Sequence, residues 1–169
     1  MSLFRPLMYQ KDIFNINYEK LKKMEIEMLI FDLDNTILKY GDDLPNERTI
    51  DLFKSLRKNF KIVIASNNIQ KKVSKIAKCL KCDYLYSMMK PTKKIKKFLD
   101  KKYHIEFSKV AIIGDQIVTD IFVGNRLGLY PVLVDPICDK DLKITAFNRW
   151  LEKRIMNRMK FKKGEYYEE

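Results

Sequence analysis

Between positions 31 and 36 the chain reads Phe31, Asp32, Leu33, Asp34, Asn35, Thr36. Two carboxylates two residues apart on extended backbone project to the same side, because side chains alternate along a strand. Like charges held that close repel and raise one another's pKa unless a cation sits between them, so the pair suggests a metal. The alternative is a strand running into an Asx turn, with Asp34 or Asn35 bonding backbone N–H groups. Ser66, Asn67 and Asn68 precede a helical pattern, where a hydroxyl and backbone N–H groups favour an anion such as phosphate. A plain N-cap at Ser66 or Asn67 is the alternative there. Lys90 stands ahead of Pro91 and Thr92 at another helix start. Gly114 and Asp115 are followed by Thr119 and Asp120. Asp115 as a helix cap is again an alternative, but carboxylates with a hydroxyl and an ammonium make a metal-assisted phosphoryl-transfer set.

The elements that must carry these residues are legible as alternating short apolar runs and longer polar-faced stretches. The runs are 28–33, 61–65, 84–86, 110–113 and 131–134; the stretches 47–58, 70–80 and 92–103 place apolar residues at helical spacing. This alternation predicts an α/β fold, a three-layer α/β/α sandwich around a mainly parallel five-stranded sheet. In such an open sheet the strand C-termini face one crevice, and Asp32, Asp34, Ser66, Lys90, Asp115 and Asp120 all follow successive strands.

Length and composition fit this frame. The chain has 169 residues, 46% hydrophobic and 33% charged, with 5 Gly and 5 Pro, an ordinary globular composition with one expected core. We divide it into residues 1–136, with the core at about 28–136, and a basic amphipathic helix and tail at 137–169 belonging to the same domain. A net charge of +12 favours an anionic partner. No apolar run approaches membrane-spanning length, and the first residues lack a signal-peptide core, so a cytoplasmic location is expected. Cys79, Cys82 and Cys138 are an odd count, and with His104 as the remaining candidate ligand they read as free thiols rather than a zinc site.

The ordered motifs D-x-D-x-T, S-N, K-P and G-D-x4-D resemble those of the haloacid dehalogenase (HAD) superfamily of phosphohydrolases over about residues 28–136. The fuller pattern, including SNN, KPT, GDQxxTD and GNRLG, resembles the YqeG family within subfamily IIIA, which is similar to the mitochondrial phosphatidylglycerophosphate (PGP) phosphatases. The resemblance implies that Asp32 is the nucleophile and Asp34 the general acid and base. It implies Mg2+ held by Asp32, the backbone carbonyl of Asp34, and Asp115, and phosphoryl binding by Ser66, Asn67 and Lys90. Thr36 and Asp120 take supporting roles, with Asp120 orienting metal-bound water or Lys90 rather than ligating. The intervals in which the superfamily inserts cap domains are too short here to hold one.

An uncapped crevice suits a large or surface-presented phosphorylated substrate. Residues 140–163 carry nine Lys/Arg against two acids, and Ile144, Phe147, Leu151, Ile155 and Met159 form one stripe. Such a helix fits peripheral contact with anionic phospholipid at the inner membrane face; packing of the stripe on the sheet is the alternative. The function expected is Mg2+-dependent conversion of PGP to phosphatidylglycerol through an aspartyl-phosphate. A soluble phosphorylated metabolite, nucleotide or phosphoprotein is the alternative substrate. A nucleic-acid-binding module would explain the charge but lacks a helix-turn-helix, zinc-finger or RNP-like motif. A catalytically inert scaffold is disfavoured by the complete catalytic set.

Overall fold

A computed structural model of the chain describes residues 3–39, 41–86, 92–138, 154–157, 162 and 164–169. One sheet runs through it in the order β4-β3-β2-β5-β6-β1-β7. The five central strands are β2 (Met28–Phe31), β3 (Lys61–Ala65), β4 (Asp83–Leu85), β5 (Val110–Gly114) and β6 (Tyr130–Val134). All their pairings are parallel. The expected five-stranded set is therefore present, and two short strands widen it to seven. β1 (Met8–Gln10) pairs in parallel with β6, and β7 (Tyr167–Glu168) lies antiparallel against β1.

Every residue of β2 is buried, as a strand covered on both faces requires. Leu29 and Phe31 face one core with Phe53, Val73 and Ile76, whereas Met28 and Ile30 face the other with Ile95, Leu99 and Val123. The period of two thus sorts alternate residues onto opposite helical layers. One layer contains α1 (Tyr18–Lys23), α2 (Glu47–Leu56) and α3 (Gln70–Leu80); the other contains α4 (Thr92–Phe98) and α5 (Phe122–Leu127). The 92–103 stretch is less regular than predicted, passing from α-helix into a π-turn at Leu99–Tyr103, and a second π-turn at Ile117–Ile121 leads into α5.

Of the basic C-terminal helix, 154–157 are described and helical, and Ile155 and Met156 pack against the cluster of Tyr9, Ile117, Ile121 and Leu133. This part of the apolar stripe is spent on the protein's own core. The stripe residues Ile144, Phe147, Leu151 and Met159 lie outside the described residues.

Candidate active site

β2 ends at Phe31, and Asp32 continues its register because its N–H donates to the carbonyl of Ile113 at 2.8 Å. The chain then turns. Asn35 takes a left-handed φ of 62°, a conformation that Asn tolerates better than most residues, and its N–H donates to the Leu38 carbonyl at 2.6 Å. Leu33, Ile37 and Leu38 anchor the turn in the core. Its carbonyl at Asn35 accepts from the N–H of Ile137 at 2.9 Å, and the Cys138 thiol donates to the Asn35 side-chain oxygen at 3.1 Å.

The two acids of the motif end in different surroundings. Asp32 is buried with Asp115 and Asp120, and carboxylate oxygens of the three lie within 4.8 Å of one another. Asp115 follows the last residue of β5 and accepts from the Thr36 hydroxyl at 3.4 Å. No side-chain cap forms at the following π-turn, so Asp115 does not serve as its cap. Asp120 reaches back from that turn and accepts the Gln116 N–H at 3.2 Å. A Cβ on Gly114 would fall 2.2 Å from the Asp120 carboxyl group, so this approach requires glycine. Asp120 therefore stands close enough to the other two acids to offer an oxygen to a shared cation.

Asp34 points instead toward the start of α3. Its carboxylate accepts from the Asn68 amide at 3.2 Å and the Ser66 hydroxyl at 3.5 Å, and pairs with the Lys72 ammonium at 3.1 Å. α3 begins at Gln70 with Ile69 at its N-cap, so neither Ser66 nor Asn67 caps it. Ser66 is buried, and its hydroxyl oxygen accepts the N–H of Asn68 at 3.1 Å. Asn67 is exposed in the same turn. Lys90 lies outside the described residues, as does Pro91.

Asn68 stands in the SNN motif without a role expected from the sequence, and Lys72 carries no sequence signal; both contact Asp34.

Beside Thr36 opens a cleft of about 460 Å3. Ile13, Phe14, Ile37 and Ile137 supply its apolar walls, and Lys11 and Asn46 its polar ones. The Cys79 and Cys82 pair is remote from this chemistry. Burial, followed by the neighbouring Asp83, pushes the Cys82 thiol up to about 12, the opposite of an activated thiolate.

Three buried carboxylates within 4.8 Å fit a hard divalent cation, which prefers oxygen ligands and offsets their repulsion. Among the described residues no cap domain covers them, and no helix is long and apolar enough to cross a membrane.

The family described as mitochondrial PGP phosphatase matches residues 1–138. A Bacillus subtilis (strain 168) protein described as probable phosphatase YqeG is 34% identical over 169 residues, covering 99% of this chain and 98% of the relative. Among solved structures, a protein assigned to subfamily III A of the HAD-superfamily hydrolases, from Legionella pneumophila, has a TM-score of 0.52 at 17% identity, covering 85% of this chain and 89% of that one. A predicted HAD-like family hydrolase from Porphyromonas gingivalis has a TM-score of 0.52 at 13% identity, covering 75% and 98% respectively. At these identities the two structures establish the likeness of fold.

Proposed function

The chain belongs to the PGP phosphatase family, a family of HAD-superfamily phosphatases, and we propose that it is a Mg2+-dependent phosphomonoester hydrolase that removes the terminal phosphate of PGP. The observation that carries the chemistry is the burial of Asp32, Asp115 and Asp120 within 4.8 Å, with Asp34 two residues from Asp32 but turned to a different set of partners. Two acids in different surroundings can take different roles.

Asp32 attacks phosphorus in line, forming an aspartyl-phosphate as the bond to the leaving oxygen breaks. Asp34 gives its proton to the departing alkoxide. It then takes a proton from water, whose oxygen attacks the phosphorus of the aspartyl-phosphate and releases inorganic phosphate and free Asp32. Asp32, Asp115 and Asp120, with the Asp34 carbonyl, would hold Mg2+, which when bound supplies charge stabilisation for the phosphoryl oxygens. Ser66, the N–H of Asn67 and Lys90 bind the remaining phosphoryl oxygens. Asn68 and Lys72 are positioning residues that fix the Asp34 carboxylate, and Thr36 fixes Asp115.

The lipid substrate is supported by the family match, the absence of a cap among the described residues and the net charge of +12. This reading places the protein at the cytosolic face of the membrane, bound there peripherally. The experiment compares specificity constants for PGP in anionic vesicles with those for soluble nucleotide, sugar and acyl phosphates. A preference for PGP of about a hundredfold or more is expected; preference for a soluble phosphate would leave the phosphatase and remove the lipid.

A further inference from the structure

Among the described residues seven large apolar side chains are prominently exposed. Four of them, Leu44 (51%), Ile69 (67%), Tyr86 (42%) and Ile137 (48%), lie in segments leaving the C-terminal ends of β2, β3, β4 and β6. That is the edge of the sheet bearing the acids. Met24, in the turn before β2, and Leu3, ahead of β1, precede strand N-termini at the opposite edge. Single exposed apolar residues are ordinary, but this concentration around one opening is not scattered.

Ile69 is the most exposed and the most informative. It occupies the N-cap of α3, where Ser, Thr, Asp or Asn would satisfy a free helix N–H, and no side-chain cap bond forms. The position thus forgoes a local gain in helix stability and presents an isoleucine to solvent. Behind it, α3 and α4 carry many lysines, among them Lys71, Lys75, Lys94 and Lys97, and no acid. Both helices start at this same edge. Asp42 and Asp43 beside Leu44, and Asp135 before Ile137, are acids on this edge.

We propose that this rim docks on an anionic phospholipid bilayer, its apolar tips entering the headgroup boundary while the lysines of α3 and α4 meet lipid phosphates. The proposal rests on the lipid reading above and specifies how the substrate is reached: the opening faces the bilayer, and a phosphoester in the headgroup layer meets Asp32 without its lipid leaving the membrane. The contact lies at the mouth of the crevice, whereas the described turn of the C-terminal helix packs Ile155 and Met156 on the protein itself.

The full chain is sedimented with vesicles of phosphatidylcholine alone and of phosphatidylcholine with phosphatidylglycerol, using Leu44→Ser, Ile69→Ser, their combination, and Met24→Ser as the opposite-edge control. For the double variant, partition onto anionic vesicles is expected to fall about tenfold or more, with hydrolysis of a soluble aryl phosphate unchanged as evidence of an intact fold. Met24→Ser should bind like the wild type. The proposal is overturned if the wild type does not bind anionic vesicles, if the double variant binds as well as the wild type, or if Met24→Ser weakens binding equally. Binding that followed ionic strength but not the serine substitutions would also overturn it, pointing to an acidic protein partner instead. A water-soluble short-chain PGP separates the two readings. If it is not hydrolysed while the rim variants still lose vesicle binding, docking stands and the substrate assignment fails.

Discussion

Two regions of the same sheet gather charged and polar groups and treat them in opposite ways. Where β1 meets β7, charges are matched: Arg5 pairs with Glu169, Lys20 with Glu168 at 3.6 Å, and the hydroxyls of Tyr9 and Tyr166 donate to Asp135 at 2.5 and 2.8 Å. At the ends of β2 and β5, three carboxylates are instead crowded within 4.8 Å. The first arrangement serves folding, holding the outer strands to the sheet. The second concentrates like charge where a fold selected only for stability would disperse it, which is the physical signature of a site. Substitutions should therefore separate cleanly: stability in one region, turnover in the other.

The largest expected effect is on turnover. Asp32→Asn keeps the side-chain volume but removes the anionic nucleophile, so phosphate release should fall by about 10^4-fold or more. Thermal melting of the same variant should be unchanged or higher, because one of three repelling charges is gone. A large fall in melting temperature would mean that the acids serve the fold after all.

Next is the metal. Mg2+ at a hundred times its dissociation constant should stabilise the wild type by about 2.7 kcal/mol and restore activity lost to chelator. Asp115→Ala should lose most of that stabilisation and demand far more Mg2+ for turnover. Equal Mg2+ stabilisation of the two proteins, read by thermal melting, would remove Asp115 from the cation site.

Lys72→Met should give a smaller, selective effect. The pair with Asp34 is partly exposed, so stability should change by less than about 1 kcal/mol. If Lys72 positions the acid, kcat should fall by about tenfold for alkyl phosphates, which need leaving-group protonation, and less for aryl phosphates. An identical loss with both would show that Lys72 acts on something other than Asp34.

In the matched region, Tyr9→Phe should cost about 1 kcal/mol in urea unfolding, because the hydroxyl also accepts the Gly164 N–H, and should leave turnover intact. The pH dependence there has a definite sign. Burial first, then the hydrogen bond to Asp135, raises the Tyr9 phenol; burial, then Glu168 and Glu169, pushes Tyr130 up to about 12. A pKa raised in the folded state adds stability that is complete below the ordinary value of 10.0 and is lost as pH climbs beyond it. Melting temperature should thus decline above about pH 10, and less steeply in Tyr9→Phe.

The sequence made the central strands readable because each carries its own apolar run between turn residues. β1 was not readable as a strand. Met8, Tyr9 and Gln10 follow a segment cut by Arg5 and Pro6, and their extended conformation depends on pairing with Val132, Leu133 and Val134, over a hundred residues away. β7, a Tyr-Glu pair after Gly164, is likewise defined by its partner. The acids were legible because few structural roles call for Asp32 and Asp34 side by side. Lys72 was not, since a lysine in a chain with 34 Lys and Arg signals nothing until the fold brings it to Asp34. Asp120 was seen as a supporting acid, but its close approach to Asp32 and Asp115 depends on a π-turn that helical periodicity does not reveal.

The bond between Asn35 and Ile137 makes the acid-bearing turn dependent on a remote part of the chain. The turn carrying Asp34 is clamped from outside its own motif by the segment leaving β6, through one backbone bond and the Cys138 thiol. A change in that distant segment would therefore be felt by the turn, because positions 35, 137 and 138 are held together by these bonds despite lying a hundred residues apart.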